Sequence, residues 1–262
     1  MIGSQAGAGL RPRLDRQLFM PPLLVAAGLL ACYGVLQTLT ASPNDSGVLN
    51  TSFLVSRLLG HLLLSGVSFA IVSAICLPLG VVIAGSRRPL RALVFLLANL
   101  GQAVPGIGIL VLLYAFLGIG VTPTIIALVV YSALPILRNT MVGIRGVDPA
   151  AVEAARGMGM TRMQALRAVQ LPLASPLIFA GLRTSLVLII GTATLGTFIG
   201  GGGLGDVIDA GINISDRIVF VGAVMVAALA LLADWALSLV ERAVVPRSLG
   251  ADGARRGSEA PV

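Results

Sequence analysis

Residues 152–172 read VEAARGMGMTRMQALRAVQLP. The stretch holds three arginines (Arg156, Arg162, Arg167), one glutamate (Glu153) and two internal glycines, Gly157 and Gly159. On both sides the chain is close to pure hydrocarbon. A basic, helix-prone interruption between such segments reads as a connection between membrane helices, and the rest of the sequence tests that reading.

Of the 262 residues 56% are hydrophobic and 11% charged, and the mean hydropathy is +0.98. Soluble domains carry about 25% charged residues; with less than half of that this chain lacks a water-facing surface, and its natural solvent is a bilayer. A spanning helix needs about 20 mostly apolar residues. Six windows qualify or nearly so: 19–39, 62–84, 93–117, 122–137, 173–199 and 218–240. The fourth is short and borrows residues at its ends. Pro78 interrupts the second, and Pro105-Gly106 the third; such breaks are tolerated where neighbouring helices satisfy the freed backbone groups. The expected fold is all-α, a polytopic bundle of about six membrane helices.

All 18 basic residues are arginine. Fifteen fall on alternate connections: in the N-terminal tail (residues 1–18), at 85–92, in the 138–172 loop and in the C-terminal tail. Only Arg57 and Arg217 fall on the other side, beside Asp45, Asp206, Asp209 and Asp216, and Arg183 lies near a helix start. This positive-inside pattern places both termini and residues 138–172 in the cytoplasm. It argues against nucleic-acid binding, because the arginines flank membrane segments and form no single patch. The first apolar run is too long for a signal-peptide core and reads as an uncleaved helix of a permease domain spanning 19–247. The Gly/Ala/Arg-rich tail, 248–262, reads as disordered. Without a lysine the chain has no P-loop. Cys32 and Cys76 sit in apolar runs and read as small buried hydrophobes.

Inside the 138–172 loop, Asp148-Pro149 is a helix start, with Asp as N-cap and Pro at the first helical position. AAVEAAR favours helix, and Gly157 and Gly159 end it. Thr161 with Gln164 forms a capping box that opens a second helix, expected to stop at about Gln170, before Pro172. A short alanine-rich helix is not stable in water alone, so it is expected to dock into something.

Glu153-Ala154-Ala155, three residues, Gly159, nine residues, Val169, one residue, then Leu171-Pro172 resembles the EAA loop of ABC importer permeases, E-A-A-x3-G-x9-I-x-L-P, with Val169 for Ile as the departure. NLGQAVPG (99–106), YSALPILRNTMVGIRGVDPA (131–150), GTATLGTFIGGGGLGD (191–206) and HLLLSGVSFA (61–70) resemble the subfamily that imports glycine betaine, choline, carnitine or proline betaine. The likeness covers about residues 55–245. It implies that Glu153, Ala154, Ala155, Gly159, Leu171 and Pro172 form a coupling element seated on a separate ATPase subunit, present in two copies. It further implies an extracytoplasmic solute-binding protein and a second permease subunit, a copy or a paralogue, because one subunit supplies half a pathway. The chain would be a non-catalytic multi-pass subunit of the inner membrane with no cofactor of its own. An importer of another small solute, such as an amino acid or a sulfonate, fits the same loop. A proton-coupled carrier using Asp234 and His61 is the competitor from another class; a non-transporting scaffold leaves the loop pattern without a reason.

Gly200–Gly205 formally matches GxGxxG, but it follows a membrane span, with no strand before it, and does not read as a dinucleotide site. Gly202 and Gly203 are candidates for a flexible outer gate. Tyr114 and Tyr131 are the rings nominated for the pathway, since quaternary ammonium groups favour aromatic faces. Asp234 lies within an apolar run, where a charge needs a partner; Arg183 is the candidate. His61, the sole histidine, is expected to pack at the interface. No His/Cys cluster has metal-ligand spacing.

Overall fold

A computed structural model describes residues 14–38 and 45–244. The far N-terminal residues and the 248–262 tail lie outside the described residues. The elements are α1 (Leu14–Thr38), α2 (Asp45–Val48), α3 (Thr51–Ala84), α4 (Arg88–Ala103), α5 (Gly106–Leu117), α6 (Val121–Arg145), α7 (Pro149–Gly157), α8 (Arg162–Ala165), α9 (Leu171–Ala193), α10 (Gly205–Ile214) and α11 (Asp216–Val244). A π turn (Leu166–Gln170) joins α8 to α9, and a 3-10 segment (Thr194–Ile199) follows α9. No strand occurs among the described residues.

Four described helical stretches are long and apolar enough to cross a membrane: Thr51–Ala84, Val121–Arg145, Arg162–Ile199 and Asp216–Val244. The third window is not a straight span. α4 and α5 meet at 97° and count as a fifth crossing only if the bent pair is taken together. Pro105 causes the break: it cannot donate a backbone hydrogen bond, and it pushes Val104 into an extended conformation at φ −76°, ψ 130°. The first window gives α1, whose described apolar segment runs Pro22–Gly34. Pro78, by contrast, stays inside α3 without ending it.

α6 is the centre of the bundle and packs along α3, α4, α5 and α9. The main core joins Val72, Cys76 and Ile83 of α3 to Leu128, Ile136 and Leu137 of α6 and Ile189 of α9. The α6–α9 approach depends on Gly181: a Cβ there would lie 2.8 Å from the Pro135 carbonyl oxygen and 2.8 Å from Asn139 Cβ. Small residues at such crossings let helix backbones approach closely in lipid. α11 covers α9, and α1 lies on α11.

The outward surface is hydrocarbon. Leu63, Leu97 and Phe116 are 70%, 61% and 78% exposed, tolerable only where the surrounding solvent is itself apolar. Several buried hydroxyls in the helices are satisfied within protein. Ser68 donates to the Leu64 carbonyl and Ser132 to that of Leu128, while Ser185 reaches across from α9 to the Ser132 carbonyl at 2.9 Å. A bilayer offers no water to take these bonds.

Candidate functional site

The charged insert occupies one end of the bundle and is built from local signals. Asp148 Oδ1 accepts from the Ala150 N–H at 2.9 Å, Pro149 opens α7, and the helix lasts nine residues. It ends in a Schellman motif: the Gly159 N–H donates to the Arg156 carbonyl at 3.0 Å and the Met160 N–H to the Ala155 carbonyl at 3.2 Å. Gly159 takes φ +89°, the left-handed conformation that this cap requires and that side chains disfavour. Gly157 is still helical, so Gly159 alone makes the turn. Both bonds of the capping box form, Thr161 N–H to Gln164 Oε1 at 2.8 Å and Gln164 N–H to Thr161 Oγ1 at 3.3 Å.

The second short helix does not stop before Pro172. It runs through the π turn directly into α9, with Leu171 N–H bonded to the Leu166 carbonyl five residues back. Proline lacks the N–H for an α-helical bond and crowds the carbonyl four residues before it; a local five-residue turn removes that requirement without ending the helix. The insert is therefore rooted in α9: α8 has an unbroken helical path to Ile199, and α7 is packed on α8 and the π turn.

α7 has two faces. Ala155 and Ala165 are buried where α7 meets α8 and the π turn. Glu153, Ala154 and Arg156 are exposed, as are Met158 and Met163 at 74% and 54%. Among the described residues Glu153 makes no ion pair. The two exposed methionines were not singled out from the sequence, although Met158 adjoins Gly159 and Met163 follows the Thr161 cap. Leu171 and Pro172 lie at the root, half-buried. Beside α7 an open cavity of about 500 Å³ is lined by Val81, Ile144, Arg145, Glu153, Arg156 and Arg162.

The opposite end holds a second polar cluster. Arg57 Nη1 lies 2.6 Å from Asp206 Oδ2, its guanidinium is 4.9 Å from the Phe53 ring centroid, and Thr197 Oγ1 donates to Asp206 Oδ1. Arg217 lies 4.0 Å from Asp45. Gly202 and Gly203 take φ +74° and +87° in the segment between the 3-10 turn and α10. The two tyrosines differ: Tyr114 is exposed on α5, whereas Tyr131 is half-buried and packs against the cluster of Ile109, Leu110 and Ala127.

At membrane depth, Asp234 accepts two hydrogen bonds from Arg183, from Nε and Nη2, both at 2.7 Å. Glu241 adds a second carboxylate 3.7 Å from Arg183 Nη1. The expected pairing holds and gains a partner that the sequence reading did not name. His61 is fully buried rather than interfacial, with both ring nitrogens engaged. The two groups that a proton-coupled carrier would use are thus both committed to structural bonds.

The arrangement is that of a membrane subunit: a close-packed helix bundle with a polar helical insert rooted in one spanning helix. The model of the binding-protein-dependent transport system inner membrane component family matches residues 76–246, and the chain belongs to that family. It is 42% identical to the carnitine transport permease protein OpuCD of Listeria monocytogenes, over 75% of this chain and 89% of that protein. It is also 42% identical to the glycine betaine/carnitine/choline transport system permease protein OpuCB of Bacillus subtilis, over 72% of this chain and 87% of that one. The osmoprotectant import permease protein OsmW of Salmonella typhimurium is 37% identical over 76% of this chain and 95% of its own. Among solved structures, an inward-facing form of the MetNI methionine ABC transporter superposes with a TM-score of 0.67 at 28% identity, over 74% of this chain and 96% of that chain. The protein is an integral inner-membrane subunit of a binding-protein-dependent importer.

Proposed function

We propose that this subunit imports compatible solutes of the glycine betaine, choline and carnitine type, and that α7 is the element through which a separate ATPase drives it. One observation carries the coupling assignment: α7 is capped at both ends, buries Ala155, and leaves the side chains of Glu153, Ala154 and Met158 exposed, with no ion pair to Glu153 among the described residues, on an insert rooted in α9. Glu153 supplies a charge for the ATPase contact, the alanines keep the contact face slim, and Gly159 sets the turn that aims it. The solute class follows from the relatives, whose names specify carnitine, choline or glycine betaine. The arginine-rich end faces the cytoplasm, the opposite end meets a solute-binding protein, and two permease subunits with two ATPase subunits enclose one pathway. Hydrolysis belongs to the ATPase, since the chain has no lysine for a P-loop.

Reconstitution with its ATPase tests this. Glu153→Lys and Gly159→Asp are each expected to abolish ATP-driven uptake of labelled betaine, choline and carnitine while membrane insertion stays normal. Full uptake in both variants removes the insert from the mechanism; uptake of none of the three solutes by the wild type removes the solute class. Uphill transport by this chain alone, without ATP, overturns the coupling assignment altogether.

A further inference from the structure

Where α9 gives way to the 3-10 segment, the backbone bonding changes. The Thr194 N–H turns to the Thr192 carbonyl, and the Ile190 carbonyl, left without its α-helical partner, faces α3. His61 Nε2 lies 3.0 Å from that oxygen. On the other side of the ring, His61 Nδ1 lies 3.2 Å from the Leu204 nitrogen, whose N–H points at it. A backbone N–H can only donate and a carbonyl can only accept, so the network assigns the neutral ring with its proton on Nε2. The ring is 0% exposed, and Gly203 closes over it: a Cβ there would lie 2.9 Å from Nδ1, at a residue already at φ +87°. One side chain thus joins α3, the end of α9 and the start of α10. Arg57 and Asp206 repeat the α3–α10 link nearer the surface.

We propose that His61 is a positioning residue for transport: a two-ended clamp that makes the α3 end, the α9 terminus and the Gly200–Leu204 segment move as one body between transport states. The inference rests on the transporter reading above. The acceptor at Nδ1 does the positioning, because it fixes the backbone where the four-glycine run Gly200–Gly203, which has no side chains of its own, meets the buried Leu204; the donor at Nε2 serves a carbonyl that the helix geometry already places.

The two ends can be separated by substitution. The Oδ1 of asparagine occupies the place of Nδ1, whereas the amide nitrogen of glutamine occupies that of Nε2. His61→Asn, His61→Gln and His61→Phe are compared in the complex assembled with its ATPase and with a binding protein loaded with glycine betaine, choline or carnitine. His61→Asn is expected to hold solute-stimulated over basal ATPase within about twofold of the wild type, while His61→Gln and His61→Phe lose about tenfold, the factor of one buried hydrogen bond. Amide exchange at Leu204, measured on the wild-type complex with and without ATP, is expected to stay slow in both states; this measurement needs no variant to fold. The proposal is overturned if glutamine serves as well as asparagine, or if Leu204 exchanges freely in either nucleotide state. A wild-type complex that no loaded binding protein stimulates counts instead against the transporter reading, and Leu204 exchange still decides the clamp.

Discussion

Removing Arg183 should be more damaging than removing Asp234, although each is the other's principal partner. Arg183→Met strands two carboxylates, Asp234 within the apolar run of α11 and Glu241 at its charged end; Asp234→Asn leaves Arg183 with Glu241 3.7 Å away. Breaking a fully buried pair costs about 3–5 kcal/mol, and an exposed one about 0–1 kcal/mol. Here 37% and 31% of the two side chains remain exposed, so water or a partner surface screens part of the loss. The interpolation is about 3 kcal/mol for Arg183→Met and about 1.5 kcal/mol for Asp234→Asn. For a chain of this size each kcal/mol shifts Tm by about 2–4 °C, giving roughly 6–12 °C and 3–6 °C. Thermal unfolding of the detergent-purified or nanodisc-embedded subunit reads both values. Exchanging the charges, Arg183→Asp with Asp234→Arg, should recover at least part of the loss, since residues 183 and 234 face each other and Glu241 can still pair with the new arginine. Arg183→Met as stable as the wild type, or an exchange variant no better than the worse single variant, would refute the pairing argument.

Three smaller perturbations follow from local geometry. Gly159→Ala meets no atom within 4 Å but must hold φ +89°, which costs about 1–2 kcal/mol; it should fray α7 and lower coupled ATPase activity without changing the Tm of the bundle, and Gly159→Asn should be milder. Gly181→Ala forces a Cβ to within 2.8 Å of the Pro135 oxygen, so the α6–α9 crossing must open at a cost of about 1–3 kcal/mol, visible as a lower Tm. Arg57→Ala loses the Asp206 pair and the Phe53 ring contact, together about 1 kcal/mol because Arg57 is 39% exposed; the loss should shrink in high salt.

What was legible in the sequence is what neighbouring residues decide among themselves. Asp148, Thr161, Gln164 and Gly159 each act over four positions or fewer and each makes the bond that its position indicates, while Pro149 opens α7 without needing one. The spanning segments were legible because apolarity over about 20 residues is a property of a window. Two local readings were incomplete. Pro172 marks a helix stop by rule, yet a π turn carries the helix past it; Pro105 marks a break, and no local rule supplies its angle.

Apart from Arg183 with Asp234, the partners of the charges were not legible. Proximity in sequence sets Arg57 beside Asp45 and Arg217 beside Asp206, Asp209 and Asp216, whereas the fold crosses them, Arg57 to Asp206 and Arg217 to Asp45. His61 finds Leu204 across 143 residues. A hydropathy window records how a residue partitions and a cap records its near neighbours, so the sequence by itself determined the solvent, the helices and the shape of the insert. Which helix faces which depends on where small residues such as Gly181 let backbones close, and only after that packing do the distant donors and acceptors meet.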